Sequence, residues 1–295
     1  MSYLTPWGGK PMENEVVCTL DNLVIYTEKV TSYAFEMFEK KLSKAEMEGK
    51  IPNIRLTIGL KFSEYHYRLN VGEGGGAITV GFKHNSCRSD DGSYTMRIEF
   101  NPQKNKVLHR EFWSVYNDLF IHHSKKIKQI DLAFDINEQM KNLMVYSISG
   151  RQKTYYKSTQ YFGAAGKTGR LKVYDKKTEL EEQQGVTITD EQKTRIEYTY
   201  KFDTPITVQL LSKFVTHMND EYKIVRFDNT RVTGELKACI LAYQNNYVEM
   251  KEFTRTTKTK IKKALDDMDR LDLDQVYMSA KEKVIQLITS YFSIA

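Results

Sequence analysis

Ile130-Asp131-Leu132-Ala133-Phe134-Asp135-Ile136 alternates apolar with acidic or small side chains along its whole length. A period of two is that of a β-strand with two unlike faces. It sets Asp131, Ala133 and Asp135 on one side and Ile130, Leu132, Phe134 and Ile136 on the other. The two aspartates would lie about 13 Å apart at roughly 3.3 Å per residue. They cannot share one ion, so either would act with partners from neighbouring strands. Upstream, residues 105–123 carry Leu108, Phe112, Val115, Tyr116 and Leu119 on one helical stripe, ending in a basic tail through Lys128. Met96–Phe100 reads as a strand closed by Asn101-Pro102, and 54–71 and 77–83 as strands joined by a glycine turn. Residues 31–48 predict a helix burying Phe35, Phe38, Leu42 and Ala45, and Leu23–Tyr26 a short buried strand. Downstream, strands are expected at 154–162, 170–175 and 194–202, with a charged helix or loop at 177–193. From 206 onward the pattern is helical: 206–218, 233–246, 254–269 and 275–293.

The expected fold is therefore α+β. A central antiparallel sheet with flanking helices is followed by a mostly helical C-terminal lobe. The divisions are a loose arm at 1–18, a strand-rich domain at 19–203 and a helical region at 204–295. Arg97-Ile98-Glu99-Phe100 echoes Arg195-Ile196-Glu197-Tyr198, and Leu23–Tyr26 echoes Leu171–Tyr174. The offsets differ, so this is no tandem repeat. It reflects either two similar halves or the general likeness of short strands.

Of 295 residues, 40% are hydrophobic and 28% charged, which excludes a wholly disordered chain. A net charge of +6 together with 19 tyrosines raises the expectation of a nucleic-acid partner. The start has no apolar signal core and no window approaches a membrane span, so a cytoplasmic protein with no membrane association is expected. Three scattered cysteines fit reduced thiols, and no CxxC or HExxH motif points to zinc. Of the six histidines, the adjacent His122 and His123 read as surface or capping groups.

Glu99 and Glu197 sit mid-strand between apolar neighbours. Buried carboxylates are costly unless paired or metal-bound. With Asp131 they suggest a shared acidic site whose oxygen-only ligands favour Mg²⁺ or Mn²⁺. The competing reading is structural: salt bridges to Arg97 or Arg195. Residues 151–177 hold eight Lys/Arg against one acid, with Tyr155, Tyr156, Tyr161, Phe162 and Tyr174 interleaved. Cations neutralise phosphates and aromatic rings stack on unpaired bases. Gly163–Gly169 lacks the Walker A spacing. A tyrosine hydroxyl can attack a phosphodiester when a base or metal activates it. Tyr174, beside Asp175 and between Lys172 and Lys176, has a fitting setting.

Residues 130–135 (IDLAFD), Tyr161-Phe162-Gly163, 170–176 (RLKVYDK) and Arg195-Ile196-Glu197 together resemble the replication initiation factor (Rep_trans) family. That family comprises rolling-circle initiators of plasmids and relaxases of conjugative elements. The likeness covers residues 125–202 and, in strand order only, 20–125. It implies an enzyme, a DNA nicking–closing strand transferase. Such a protein binds origin DNA, cuts one strand in an extruded hairpin, stays linked to the 5′ phosphate through tyrosine, and rejoins the strand. A host helicase and polymerase would be partners. By the resemblance, Tyr174 is the nucleophile and Asp131, Glu197 and Glu99 are metal ligands. Arg170, Lys172, Lys176, Lys167 and Tyr161 contact DNA. The chain departs from the family after Gly163, where it reads AAGKTG. It also has Arg170 where some members carry a tyrosine, so Tyr161 and Tyr156 are alternative nucleophiles. Lys251–Lys263, with six cations and one acid, predicts a DNA-reading helix carrying Arg255, Lys258 and Lys262. Its apolar residues Ile261, Leu265 and Met268 equally suit inward packing or a homodimer. The remaining alternatives are a conjugative relaxase on the same scaffold and a non-catalytic origin-binding protein.

Overall fold

The computed structural model describes residues 16–59, 64–73, 76–84, 92–104, 106–184 and 194–292. The expected turn at Gly74-Gly75, most of the loop at 86–93, Cys87 and the first fifteen residues of the expected arm lie outside them. The strands are β1 (Val16–Val30), β2 (Ile54–Ile58), β3 (Tyr65–Val71), β4 (Ile78–His84), β5 (Tyr94–Phe100) and β6 (Lys125–Ile136). They continue as β7 (Leu143–Ser147), β8 (Lys153–Tyr156), β9 (Thr159–Phe162), β10 (Arg170–Asp175), β11 (Thr194–Ile206) and β12 (Tyr222–Arg226). The helices are α1 (Ser32–Met47), α2 (Lys106–Phe120), α3 (Lys176–Gln184), α4 (Val208–Leu211), α5 (Met218–Glu221), α6 (Gly234–Gln244), α7 (Arg255–Asp266) and α8 (Leu273–Phe292).

Ten strands form one antiparallel sheet in the order β2-β3-β4-β5-β1-β6-β11-β10-β9-β8, and β12 pairs with β7 in a second, two-stranded sheet. The expected α+β class with an antiparallel sheet stands. The quoted strand is β6, and it sits at the centre because both its neighbours use the same alternation. Its apolar residues join Leu23, Ile25, Ile98, Phe100, Leu171, Val173 and Ile196 in the main core. Helices α1, α2 and α8 supply the other side of that core.

Helix α1 starts where the Thr31 hydroxyl accepts from the Ala34 amide at 3.1 Å, and it buries the four residues expected. Helix α2 buries Phe112, Trp113, Tyr116 and Phe120, with Val115 and Leu119 half-buried; Phe38 of α1 meets three of these rings edge-on. Tyr291 of α8 packs against Phe100 and Trp113. Helix α8 is thus part of the sheet's own core. Ile288→Ala, at a site with no exposure, should lower the unfolding free energy by about 2–4 kcal/mol. Urea denaturation measures it, and a change below about 1 kcal/mol would show that α8 does not seal this core.

Several sequence expectations are refined. Leu23–Tyr26 is the middle of a 15-residue strand, and Val16–Cys18 pair with Ile136, Asp135 and Phe134. The division expected at residue 203 falls inside β11. Strand β12 falls between the helical stretches expected at 206–218 and 233–246: it is short and pairs with β7, which shows no alternation because all five of its residues are buried. The two echoed segments pair in matched register, Leu23 with Phe100 and Tyr26 with Arg97, Leu171 with Tyr198 and Tyr174 with Arg195. They follow one another across the sheet as β5-β1 and β11-β10 with every direction reversed. The rotation that superposes them would turn one polar face inward, so they are not a structural repeat.

The second, smaller core joins Met144, Tyr146 and Val225 to Ile240, Tyr243, Ile261, Leu265 and Met268. Helix α7 therefore packs its apolar stripe inward, as the competing reading of 251–263 expected. Between the two cores, Arg151 pairs with Glu221 at 2.9 Å directly over Gly169 (φ +74°). A Cβ at Gly169 would collide with both side chains, so this glycine keeps the turn before β10 closed.

Candidate active site

Alternation leaves the second face of the central strands polar. A β-bulge in β1 enriches it further. Leu20 lies opposite Leu132 and Asn22 opposite Asp131, so Asp21 is one residue too many. Leu20 and Leu23 both point into the core, and the two residues between them both reach the polar face. Alternation alone could not place either. The Asp-Asn pair between two leucines is the only trace of the bulge in the sequence.

Tyr174, Lys172 and Glu197 make direct contact. Lys172 and Glu197 are register partners in β10 and β11. The Lys172 ammonium lies 2.6 Å from Glu197 Oε2, and the Tyr174 hydroxyl donates to Oε1 at 2.5 Å. Glu197 is 7% exposed and Tyr174 5%. Burial pushes Glu197 toward protonation, but the Lys172 charge, the bonds from Lys172 and Tyr174, and the Arg195 charge outweigh it. Glu197 is held below the usual carboxylate range. Burial first, then the charge and hydrogen bond of Glu197, hold the Tyr174 hydroxyl far above the usual phenol range. The phenol is therefore neutral and its proton is aimed at an ionised carboxylate.

Beside this trio, Arg195 forks onto Asp135, with two contacts of 2.7 Å, and reaches Asp21 at 3.4 Å. The salt bridge considered for Glu197 with Arg195 is thus made by Asp135 instead, while Arg97 does pair with Glu99 at 2.7 Å. Asn101 also donates to Asp21, at 3.2 Å.

Glu99 and Asp131 stand on either side of β1. The Asn22 amide donates to both, at 3.1 and 3.3 Å. Gln129 and the Thr199 hydroxyl also bond Asp131, so all its hydrogen-bond partners are neutral. Its carboxyl is pushed up to about 6 by burial, against the bonds from Thr199, Gln129 and Asn22 and the more distant charge of Lys172. Relative to an unfolded value near 3.8, the folded state favours the protonated form. The resulting penalty is absent below about pH 4, where both states are protonated, and complete above about pH 6. Part of the residue still meets solvent, which moderates the cost. Asp131→Asn should stabilise the metal-free protein by about 1–2 kcal/mol near pH 8 and by almost nothing near pH 4. Thermal unfolding at both pH values checks this, and an equal difference at the two would refute it.

Among the described residues, no group of three or more His, Cys, Asp or Glu side chains is placed to share one ion. Glu197 is committed to Lys172 and Tyr174. Glu99 and Asp131 are different. They are two carboxylates bridged by one amide, and one of them lacks any cationic partner in contact. That pair suits a hard, oxygen-seeking cation.

The other expected contacts are dispersed. Tyr161 is the register partner of Lys172 on β9, with the Arg170 guanidinium 4.8 Å from its ring centre. Tyr156 is 66% exposed on the edge strand β8. Lys176 binds Glu179 in the first turn of α3, and Lys167 is exposed in the turn before β10. Arg255, Lys258 and Lys262 lie on α7, away from this face; Lys258 bonds the Lys251 carbonyl and Lys262 sits over Tyr146. Asp21, Asn22, Gln129 and Thr199 were not foreseen. No described helix is long and apolar enough to cross a membrane.

The fold and this face define an α+β protein with a buried tyrosine–carboxylate–lysine centre on an antiparallel sheet. No protein-family model matches the chain. It is similar to three curated Staphylococcus aureus proteins, each named "Replication initiation protein", at 27%, 26% and 23% identity over 205 residues. Each match covers 65% of this chain and 62% of the relative, so the chain spans less than two thirds of the relatives' length.

Proposed function

We propose that the chain is a replication initiator that binds origin DNA, nicks one strand through Tyr174 and rejoins it, as the resemblance to the replication initiation factor family implies. The observation that carries this reading is the Tyr174 hydroxyl donating to an ionised Glu197 on the polar face. The names of the similar Staphylococcus aureus proteins support the initiator role. The Tyr174 oxygen attacks the scissile phosphorus and its proton passes to Glu197. The bond from phosphorus to the 3′ oxygen breaks, and that oxygen leaves as a hydroxyl with a proton from solvent. The product is a 5′-phosphotyrosyl diester. In the reverse step a 3′ hydroxyl attacks the diester and Tyr174 recovers its proton. Lys172 holds Glu197 ionised and adds positive charge beside the phosphate. Arg195, fixed by Asp135 and Asp21, walls the other side. Asp131 and Glu99 would hold Mg²⁺ or Mn²⁺, which would polarise the scissile phosphate when bound.

The test is a covalent adduct on a hairpin oligonucleotide bearing the origin, resolved on a denaturing gel with Mg²⁺ or Mn²⁺. A non-catalytic origin binder would shift the DNA on a native gel and form no adduct.

A further inference from the structure

The polar face does not end at Asp131. Beyond Glu99 and Gln129 it opens into a cleft of about 740 Å³, walled by β1, β3, β4, β5, β6 and β11. Its cations are Arg68, Arg97, Lys128 and Lys201, and its acids are Glu64 and Glu99. Arg97 already pairs with Glu99.

Two features of this cleft have no structural role elsewhere. The first is a pair of lysines held close together. The Lys128 ammonium binds the carbonyls of Phe202 and Asp203 at 2.6 and 2.9 Å, and that of Lys201 reaches the Gly166 carbonyl at 3.4 Å. Among the described residues neither has a carboxylate in a salt bridge. Burial and then the charge of Lys201 press the Lys128 ammonium toward losing its proton, against the opposing charge of Asp203. The second is Tyr65. Its ring lies flat on Gly81, where an added Cβ would meet three ring atoms at 2.8–3.0 Å, and its hydroxyl bonds Tyr26. Only glycine permits that approach. The effect is an aromatic ring fixed within a polar cleft that cations also line.

A fixed aromatic ring and two ammonium groups lining one cleft suit a short run of unpaired nucleotides, with a base stacked on the ring and phosphates on the lysines. The cleft is continuous with the candidate centre. Gln129 lines it and also donates to Asp131, and Lys201 lies about 13 Å along β11 from Glu197 at roughly 3.3 Å per residue. We propose that this cleft is a subsite for unpaired nucleotides of the strand that is cut, with Tyr65 stacking a base and Lys128 and Lys201 holding phosphates. It rests on the nicking reading for the identity of the strand, but not for the binding itself.

The experiment uses the full chain and a fluorescein-labelled oligothymidine of about 20 nucleotides carrying 5-iododeoxyuridine. Irradiation of the wild-type complex should cross-link the peptide that contains Tyr65, located by mass spectrometry. The double variant Lys128→Gln, Lys201→Gln should bind about tenfold more weakly and lower the salt slope by about 1.4, two single-strand phosphates at about 0.7 each. Lys128→Arg with Lys201→Arg should restore both, and Tyr65→Trp should keep affinity where Tyr65→Leu loses it. Cross-links confined to other segments, such as 151–177, or an unchanged salt slope in the double Gln variant, would overturn the proposal. Tyr174→Phe should leave all of these readings intact. A failed adduct assay therefore counts against the nicking reading alone, and a failed cross-link against the cleft alone.

Discussion

Tyr174→Phe should abolish the covalent protein–DNA adduct, a loss of roughly 10⁴-fold or more, while DNA affinity stays within about twofold of the wild type. The ring is buried and phenylalanine keeps its packing. The variant loses one hydrogen bond to Glu197, at a stability cost of about 1 kcal/mol, so a folded protein is available for the assay. The two alternative tyrosines make this decisive. Tyr161 is tied to Arg170, Tyr156 stands out on an edge strand, and among the described residues neither bonds a carboxylate. If Tyr174→Phe still forms adduct at the wild-type level, the nucleophile is elsewhere. Tyr161→Phe and Tyr156→Phe should each retain most of it.

Glu197→Gln should slow adduct formation by about 10²–10⁴-fold, the usual worth of a positioned general base. The amide keeps the shape and can still accept from Tyr174, but it cannot take the proton. Removing one negative charge beside Lys172 should leave DNA binding equal or slightly tighter. The sign of the pH dependence is set by Glu197 being held below the ordinary carboxylate range. Its base form persists as pH falls from 8 to about 5, so protonation of Glu197 does not limit the rate there. Single-turnover adduct formation across that range, in wild type and Glu197→Gln, checks both points. A variant as fast as the wild type would leave Glu197 a structural partner of Lys172 and nothing more.

The parts of the site that were readable from sequence are those governed by alternation within one strand. The faces of Asp131 and Asp135 followed directly, and the pairing of Glu99 with Arg97 two residues away was one of two readings the sequence left open. The class of fold followed from the same period. Contacts that depend on how strands are aligned were not readable. Nothing in residues 170–176 states that Lys172 lies opposite Glu197, and the choice between Lys172 and Arg195 as its partner rests on that alignment. Asn22 was hidden because it follows a bulge, and bulges break the rule used to find faces. Strand β12 was hidden because its partner β7 is buried on both sides and shows no alternation. The cleft was unreadable for the same reason as the centre: its walls come from six strands spread from Val24 to Lys201.

The bulge at Asp21 sets the phase of the whole first strand. Asp21 reaches toward Arg195 and Asn101, and Asn22 toward Glu99 and Asp131. Two consecutive side chains therefore stitch together both halves of the polar face from a single point. Deleting either residue would do more than remove one contact. It would remove the bulge while leaving Leu20 opposite Leu132 and in the core, and one of the two halves of the polar face would lose its tie to β1. The extra residue at this point serves the polar face and not the pairing of the strands, so its loss should be felt at the site before it is felt in the fold.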